Sequence, residues 1–201
     1  MTHTRQPWSG IVGLTGPGGA TALVSGLLYQ LYGFRTFGLK DVVRGALLTV
    51  DPMLSSDLSL AQLLERTDWE GAETHRIHGP EVRRLLASLG TDLGRTYFGD
   101  GCWTRLLEDE IADAGGFSAG HPVVVDDVTF DDEAQWVRDL GGWVWHVQAG
   151  PDDAGVDPLL VDHVIVLGED AGRLLAQIDA LLAPVVSPPH RPADGPGPSA
   201  R

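Results

Sequence analysis

At 201 residues and 43% hydrophobic content, the chain has material for one domain, able to bury roughly 70% of its unfolded surface. A mean hydropathy of -0.01 and the lack of any apolar run of about 18 residues exclude a membrane-spanning helix. Its 14 Lys+Arg against 28 Asp+Glu, a formal net charge of -14, argue against polymeric nucleic acid as a partner.

The opening MTHTRQPWSG has no apolar stretch between its first charges and Pro7, so no secretory signal is expected. Cys102 is the single cysteine, which leaves no internal disulfide and no multi-cysteine zinc site. Together these features predict a cytoplasmic protein. Lys40 is the only lysine; every other fixed cation is arginine.

The first strand reads Gly10 to Leu14 and runs into the glycine cluster Gly16-Pro17-Gly18-Gly19. Val24, Leu28 and Leu31 then recur at helical spacing up to Gly33. A brief strand over Phe34 to Phe37 follows, and a helix from Lys40 to Leu48 that Asp51-Pro52 breaks. Residues 53–78 show no clear period; Leu58 to Arg66 reads as a helix and the rest as a connection. Val82, Leu85, Leu86 and Leu89 mark a helix from Glu81 that Gly90 ends. Trp103, Leu106, Leu107 and Ile111 mark another, up to Ala114.

Val123-Val124-Val125 is a β-branched run of the kind that suits a parallel strand covered on both faces. Asp131 is expected to cap a helix carrying Ala134, Val137 and Leu140, closed by Gly141-Gly142. Strands over Trp143 to Val147 and His163 to Leu167 come next, then a helix built on Leu174, Leu175, Ile178, Leu181 and Leu182. Strands alternating with helices predict an α/β fold, a three-layer parallel sheet with helices on both faces. Residues 1–183 form its single domain. Beyond it, residues 184–201 hold six of the 13 prolines without periodicity and read as a disordered tail.

A glycine-rich turn between a first strand and a first helix can place backbone N–H groups around an anion, helped by the helix dipole. The dinucleotide fingerprint would need a glycine where Thr21 stands. The phosphate-loop template G-x-x-x-x-G-K-[ST] fits Gly13 and Gly18 but then meets Gly19 and Ala20. A tight turn whose glycines only permit close packing is the third reading, and spacing alone leaves all three open.

Four stretches resemble the bacteriophage family of deoxynucleoside monophosphate kinases. GLTGPGGAT (13–21) is similar to the family's GLSGSGKDT-like loop, and FGLKDVVRGAL (37–47) keeps, as Lys40, the lysine of an A-x-x-L-K helix. RRLLASLGTDLGR (83–95) resembles R-x-L-L-Q-x-L-G-T-E-x-G-R, the most specific of the four. VVVDDVTFDDEA (123–134) is close to a D-V-R-F-x-N-E-A segment. The resemblance covers residues 10–183 and implies a P-loop nucleotide kinase-like fold that passes phosphate from ATP, with Mg2+, to a deoxynucleotide.

By that resemblance Gly13, Thr15, Gly16, Gly18, Gly19 and Thr21 bind the nucleotide. Lys40, Arg44, Arg83, Thr91, Asp92 and Arg95 hold the acceptor, within a lid or acceptor subregion over 51–95. Asp127, Arg83 and Lys40 carry catalysis, and Asp127, with Asp126 beside it, meets the metal. Partners are nucleotide small molecules, with a homodimer left open.

Three positions depart from the pattern. Gly19 stands for the loop lysine, Thr129 for the arginine after Asp127-Val128, and Gln148 for an arginine after the next strand. Losing one well-aimed donor to a transferring phosphate costs about 3–4 kcal/mol, roughly 100- to 1000-fold in rate. Activity would therefore need replacement cations from Lys40, Arg44, Arg83, Arg84 or Arg95. The alternative is a catalytically impaired nucleotide-binding or interaction protein.

Among the remaining residues, Trp103 reads as core in preference to base stacking, and Trp136, Trp143 and Trp145 as structure. His75 and His78 lack a third ligand nearby. Cys102 lacks an activating base.

Overall fold

A computed structural model describes residues 8–118, 120–150, 153, 155–168 and 170–183. The expected tail over 184–201 lies outside the described residues, as does most of the opening segment. The sheet has five parallel strands: β1 (Ile11–Thr15), β2 (Arg35–Phe37), β3 (Val123–Val125), β4 (Trp143–Gln148) and β5 (His163–Val166), in the order β2-β3-β1-β4-β5. Register pairs Ile11 with Val123 on one side of β1 and Val12 with Trp143 on the other.

Helices cover both faces, which is why the central strands β1 and β3 are apolar and buried nearly throughout, whereas the edge strands β2 and β5 are partly exposed. Val12, Leu14, Val124, Trp145, Val147 and Ile165 pack with α1 (Gly18–Tyr32) and α9 (Ala171–Leu182). Ile11, Val123, Val125 and Val144 belong to the opposite cluster. That cluster is completed by α2 (Leu39–Val50), α3 (Leu60–Leu64), α4 (Trp69–Thr74), α5 (Gly79–Ala87), α7 (Cys102–Asp113) and α8 (Asp131–Asp139). The three-layer α/β architecture is the one the alternation of elements requires. Among the described residues no helix is long and apolar enough to cross a membrane.

Local departures from the sequence expectations have identifiable causes. Gly90 does not end its helix: α5 continues through a π-helical stretch, Ser88–Leu93, into α6 (Gly94–Phe98). Trp103 is responsible. Its indole N–H donates to the Gly90 carbonyl at 2.8 Å, and a Cβ on Gly94 would lie 2.6 Å from its ring. Trp103 is buried core, and Gly94 makes room for its ring.

The helix expected over Leu58–Arg66 shrinks to Leu60–Leu64. Ser59 and Gln62 close a reciprocal capping box at its start. In the stretch without periodicity, α4 forms where the Asp68 carboxylate accepts the Gly71 amide at 2.7 Å. Nor does Asp131 cap α8. Phe130 occupies the cap position, and the Glu133 carboxylate reaches back to the amides of Thr129 (2.8 Å) and Phe130 (3.0 Å).

Candidate functional site

β1 is central, and the crossovers that leave β1 and its neighbour β3 run in opposite directions. The connection through α1 leads to the β2 side, and β3 returns through α8 to β4 on the other side. In an open parallel sheet the crevice at such a reversal, outside the carboxyl ends of the strands, is where ligands bind. The glycine turn follows β1 at this end, and Asp126-Asp127 follows β3.

Gly16 is required by geometry. Its φ is 134°, and a Cβ there would lie 2.4 Å from the Val147 carbonyl oxygen, so only glycine lets the turn pass β4. The Pro17 carbonyl accepts the amides of Ala20 (2.8 Å) and Thr21 (3.0 Å) and starts α1. Gly18 and Gly19 are exposed, with nothing within 4 Å of a Cβ built on either. Among the described residues no acceptor pairs with their amide N–H groups. These donors, at the positive end of a 15-residue helix, form an anion-compatible surface.

The other residues grouped with the turn have more local surroundings. Thr21 is buried and its hydroxyl donates to the Gly18 carbonyl at 3.2 Å. Thr15 is buried at the end of β1. Gly13 lies within the strand, where a Cβ would approach Val128 and Val137 at 3.0 Å each; its position serves packing of α8 on β1. The first turn of α1 carries no charged side chain.

The aspartates divide their roles. Asp127 accepts the Leu39 amide with Oδ1 and the Lys40 amide with Oδ2, both at 2.7 Å, and so caps α2. Burial nevertheless pushes its carboxyl above the ordinary value. Asp126 is raised further, from 3.8 to about 6, by burial first and then by the charges of Asp127 and Asp41. A hydrogen bond from Ser25 opposes the rise.

The three carboxylates meet around Gly38. A Cβ there would sit 3.2 Å from Asp127 Oδ2 and 3.4 Å from both Asp126 Oδ1 and Asp41 Oδ2. Among the described residues no group of three or more His, Cys, Asp or Glu side chains is arranged to hold a metal ion. A divalent cation here would need water or ligand oxygens as well, which is the usual coordination of Mg2+. With both Asp127 oxygens on amides, Asp126 is the better placed carboxylate.

Beside these aspartates a cavity of about 400 Å3 opens between α2, α5 and the segment after β3, a volume in the range of small-molecule sites. Lys40, Glu73, Arg83, Thr91, Asp127 and Phe130 contribute to its wall, with Trp103 among the apolar lining residues. Lys40, Arg83 with Thr91, and Asp127 are thus brought together from three separate stretches of sequence.

Arg44, Asp92 and Arg95 do not line the cavity. Arg44 directs Nε (3.2 Å) and Nη2 (2.6 Å) to Glu73 Oε1 and Nη1 (2.8 Å) to Asp41, so all three of its nitrogens are engaged. Arg95 chelates Asp132, lies 3.6 Å from Glu133 and covers the Phe130 ring at 4.0 Å. Asp92 is exposed on the π-helical stretch. Arg84 pairs with Glu81 at the surface.

Glu73 and Glu133 are the residues that sequence reasoning missed. Glu73 receives Lys40 Nζ at 2.7 Å as well as Arg44, and its main-chain carbonyl accepts Arg83 Nη1. Burial opposes its charge, but the bonds from Lys40 and Arg44 outweigh burial and hold the carboxyl below its usual value. Glu133 is buried, and desolvation raises its carboxyl against the pull of two amides and Arg95. Its spacing from Thr129, four residues on in a polar run, was the available signal.

His75 accepts the amides of Ile77 (3.3 Å) and His78 (3.2 Å) at Nδ1, and the two rings stack at 5.1 Å. Cys102 is buried, and desolvation raises its thiol. No protein-family model matches the chain, and no curated protein matches it in sequence.

Proposed function

We propose that the protein is a nucleotide-handling enzyme of the deoxynucleoside monophosphate kinase type, with a P-loop-like turn and ATP as donor. The observation that carries this reading is the pairing of two features at the carboxyl ends of adjacent strands. After β1 come open, unpaired amides at a helix N-terminus; after β3 comes a 400 Å3 cavity whose wall carries Lys40 and Arg83. In this reading Gly18 and Gly19 hold donor phosphates through their amides. Lys40 and Arg83 hold the acceptor's phosphate, and the apolar wall with Trp103 and Phe130 takes its base. Mg2+, when bound, would neutralise charge on the phosphate oxygens, and Asp126 would be its protein ligand. A cytoplasmic location goes with ATP as donor.

A second reading, nucleotide binding without transfer, is favoured by a specific observation. The turn has no cation where Gly19 stands, and Arg44 and Arg95 are paired with carboxylates of the protein. One experiment separates the two: ADP release and thermal stabilisation measured together, with ATP, Mg2+ and each common deoxynucleoside monophosphate. Transfer gives ADP only when acceptor is present, whereas binding alone gives stabilisation without ADP. The absence of both, for every nucleotide, would defeat the proposal.

A further inference from the structure

The basic side chains at the cavity mouth converge on one carboxylate from a different part of the chain. Lys40 and Arg44 lie one turn apart on α2, and both hydrogen-bond the side chain of Glu73 on α4. Arg83, on α5, donates to the Glu73 main-chain carbonyl. Glu73 is itself part of the cavity wall, and its side chain is only 14% exposed. The place that Lys40 and Arg83 would offer an anion therefore already contains one.

We infer that Glu73 is the resident anion of this site and sets the charge that a ligand may carry there. The inference rests on the reading of the cavity as an acceptor-phosphate site. Without a ligand, Glu73 is the carboxylate that pairs Lys40 and, together with Asp41, Arg44, whose side chain is largely buried. With a ligand, its charge repels an incoming phosphate in proportion to the ligand's own charge. Arg44 commits three of its five N–H donors to Glu73 and Asp41 and does not line the cavity. Lys40 uses one of its three N–H donors on Glu73, and Arg83 is held through Nη1 alone.

Removing the carboxylate has two opposed effects. It frees Lys40 from a fixed position, which weakens ligand binding by about one exposed hydrogen bond. It also deletes a full negative charge within a few ångströms of a dianion. The second effect is the larger, because the Glu73 carboxylate is largely buried, the Lys40 ammonium is half exposed and keeps water as a partner, and the ligand carries two charges. Glu73 thus acts as a specificity-determining residue: it weakens the hold on the acceptor's dianionic phosphate more than on a singly charged group.

The test is a binding titration of wild type and Glu73→Gln with methyl phosphate, a dianion at pH 8, and dimethyl phosphate, a monoanion, followed by two-dimensional amide NMR. Glu73→Gln is expected to bind methyl phosphate at least tenfold more tightly, with a smaller gain for dimethyl phosphate. An equal change for both ligands, or weaker binding of methyl phosphate, would overturn the inference and make Glu73 a scaffold. If neither protein binds methyl phosphate at the Lys40 and Arg83 amides, the acceptor-site reading itself fails and this inference with it. Should Glu73→Gln not fold, Glu73→Ala on the same helix gives the same comparison, alanine being the best helix former.

Discussion

Replacing Asp126 with asparagine should make the protein more stable at neutral pH. The substitution keeps the size and the hydrogen bond with Ser25 but removes a charge that burial, Asp127 and Asp41 all disfavour. The rise from 3.8 to about 6 corresponds to a ceiling of ~3 kcal/mol. Partial contact with solvent screens the repulsion, so a gain of about 1–2 kcal/mol is expected.

The sign follows from proton uptake. A carboxyl that holds its proton more tightly when folded adds stability below about 3.8, and that stability is lost as pH rises through about 6. The gap between Asp126→Asn and wild type should therefore be small near pH 4, widen up to pH 6.5, and stay level above it. Urea denaturation at several pH values, with equal slopes for both proteins, measures it. A variant that is less stable at pH 7.5, or a gap indifferent to pH, would refute the reasoning. A carboxylate kept at a cost to stability is characteristic of functional sites. Millimolar Mg2+ should accordingly stabilise wild type and leave Asp126→Asn unchanged.

Gly16→Ala forces a Cβ to within 2.4 Å of the Val147 carbonyl at a φ of 134°; a loss of about 2–4 kcal/mol by chemical denaturation is expected. Glu133→Ala removes the acceptor for two amides and a second carboxylate near Arg95, and should cost about 2–3 kcal/mol. Glu133→Gln keeps one acceptor oxygen and should cost less, so equal losses would contradict the capping role. Gly19→Lys enters open space and should leave the melting temperature unchanged. If phosphoryl transfer occurs at this site, it should raise ADP formation about 100- to 1000-fold.

What could be read from the sequence was whatever a local period encodes. β3 announces itself as three consecutive valines because helices cover both of its faces, and α1 ends where Gly33 supplies a left-handed turn at φ 71°. The glycine cluster and Asp126-Asp127 could be placed at strand ends for the same reason. What could not be read depends on partners far away in the chain. Asp127 caps α2 through amides 87 and 88 residues distant, which makes it a structural cap where the sequence offers only a strand-end acid. Glu73 is 29 and 33 residues from the cations it holds, in a stretch whose helices are too short to show a period. Gly90 looks like a helix stop until the Trp103 indole, 13 residues on, is seen to use its carbonyl.

The same long-range pairings bear on how an anion could be attracted here at all. With 28 acidic and 14 basic residues, the surface exerts no long-range pull on phosphates. The cations around the cavity are compensated locally: Lys40 and Arg44 by Glu73, Arg44 also by Asp41, and Arg95 by Asp132 and Glu133. An anion reaching this crevice would be held by donors met only at contact, namely the amides of Gly18 and Gly19 and the remaining N–H groups of Lys40 and Arg83. Such contacts are screened by salt far less than a distributed surface field is. Affinity at this site should therefore depend on the charge at Glu73 more than on ionic strength.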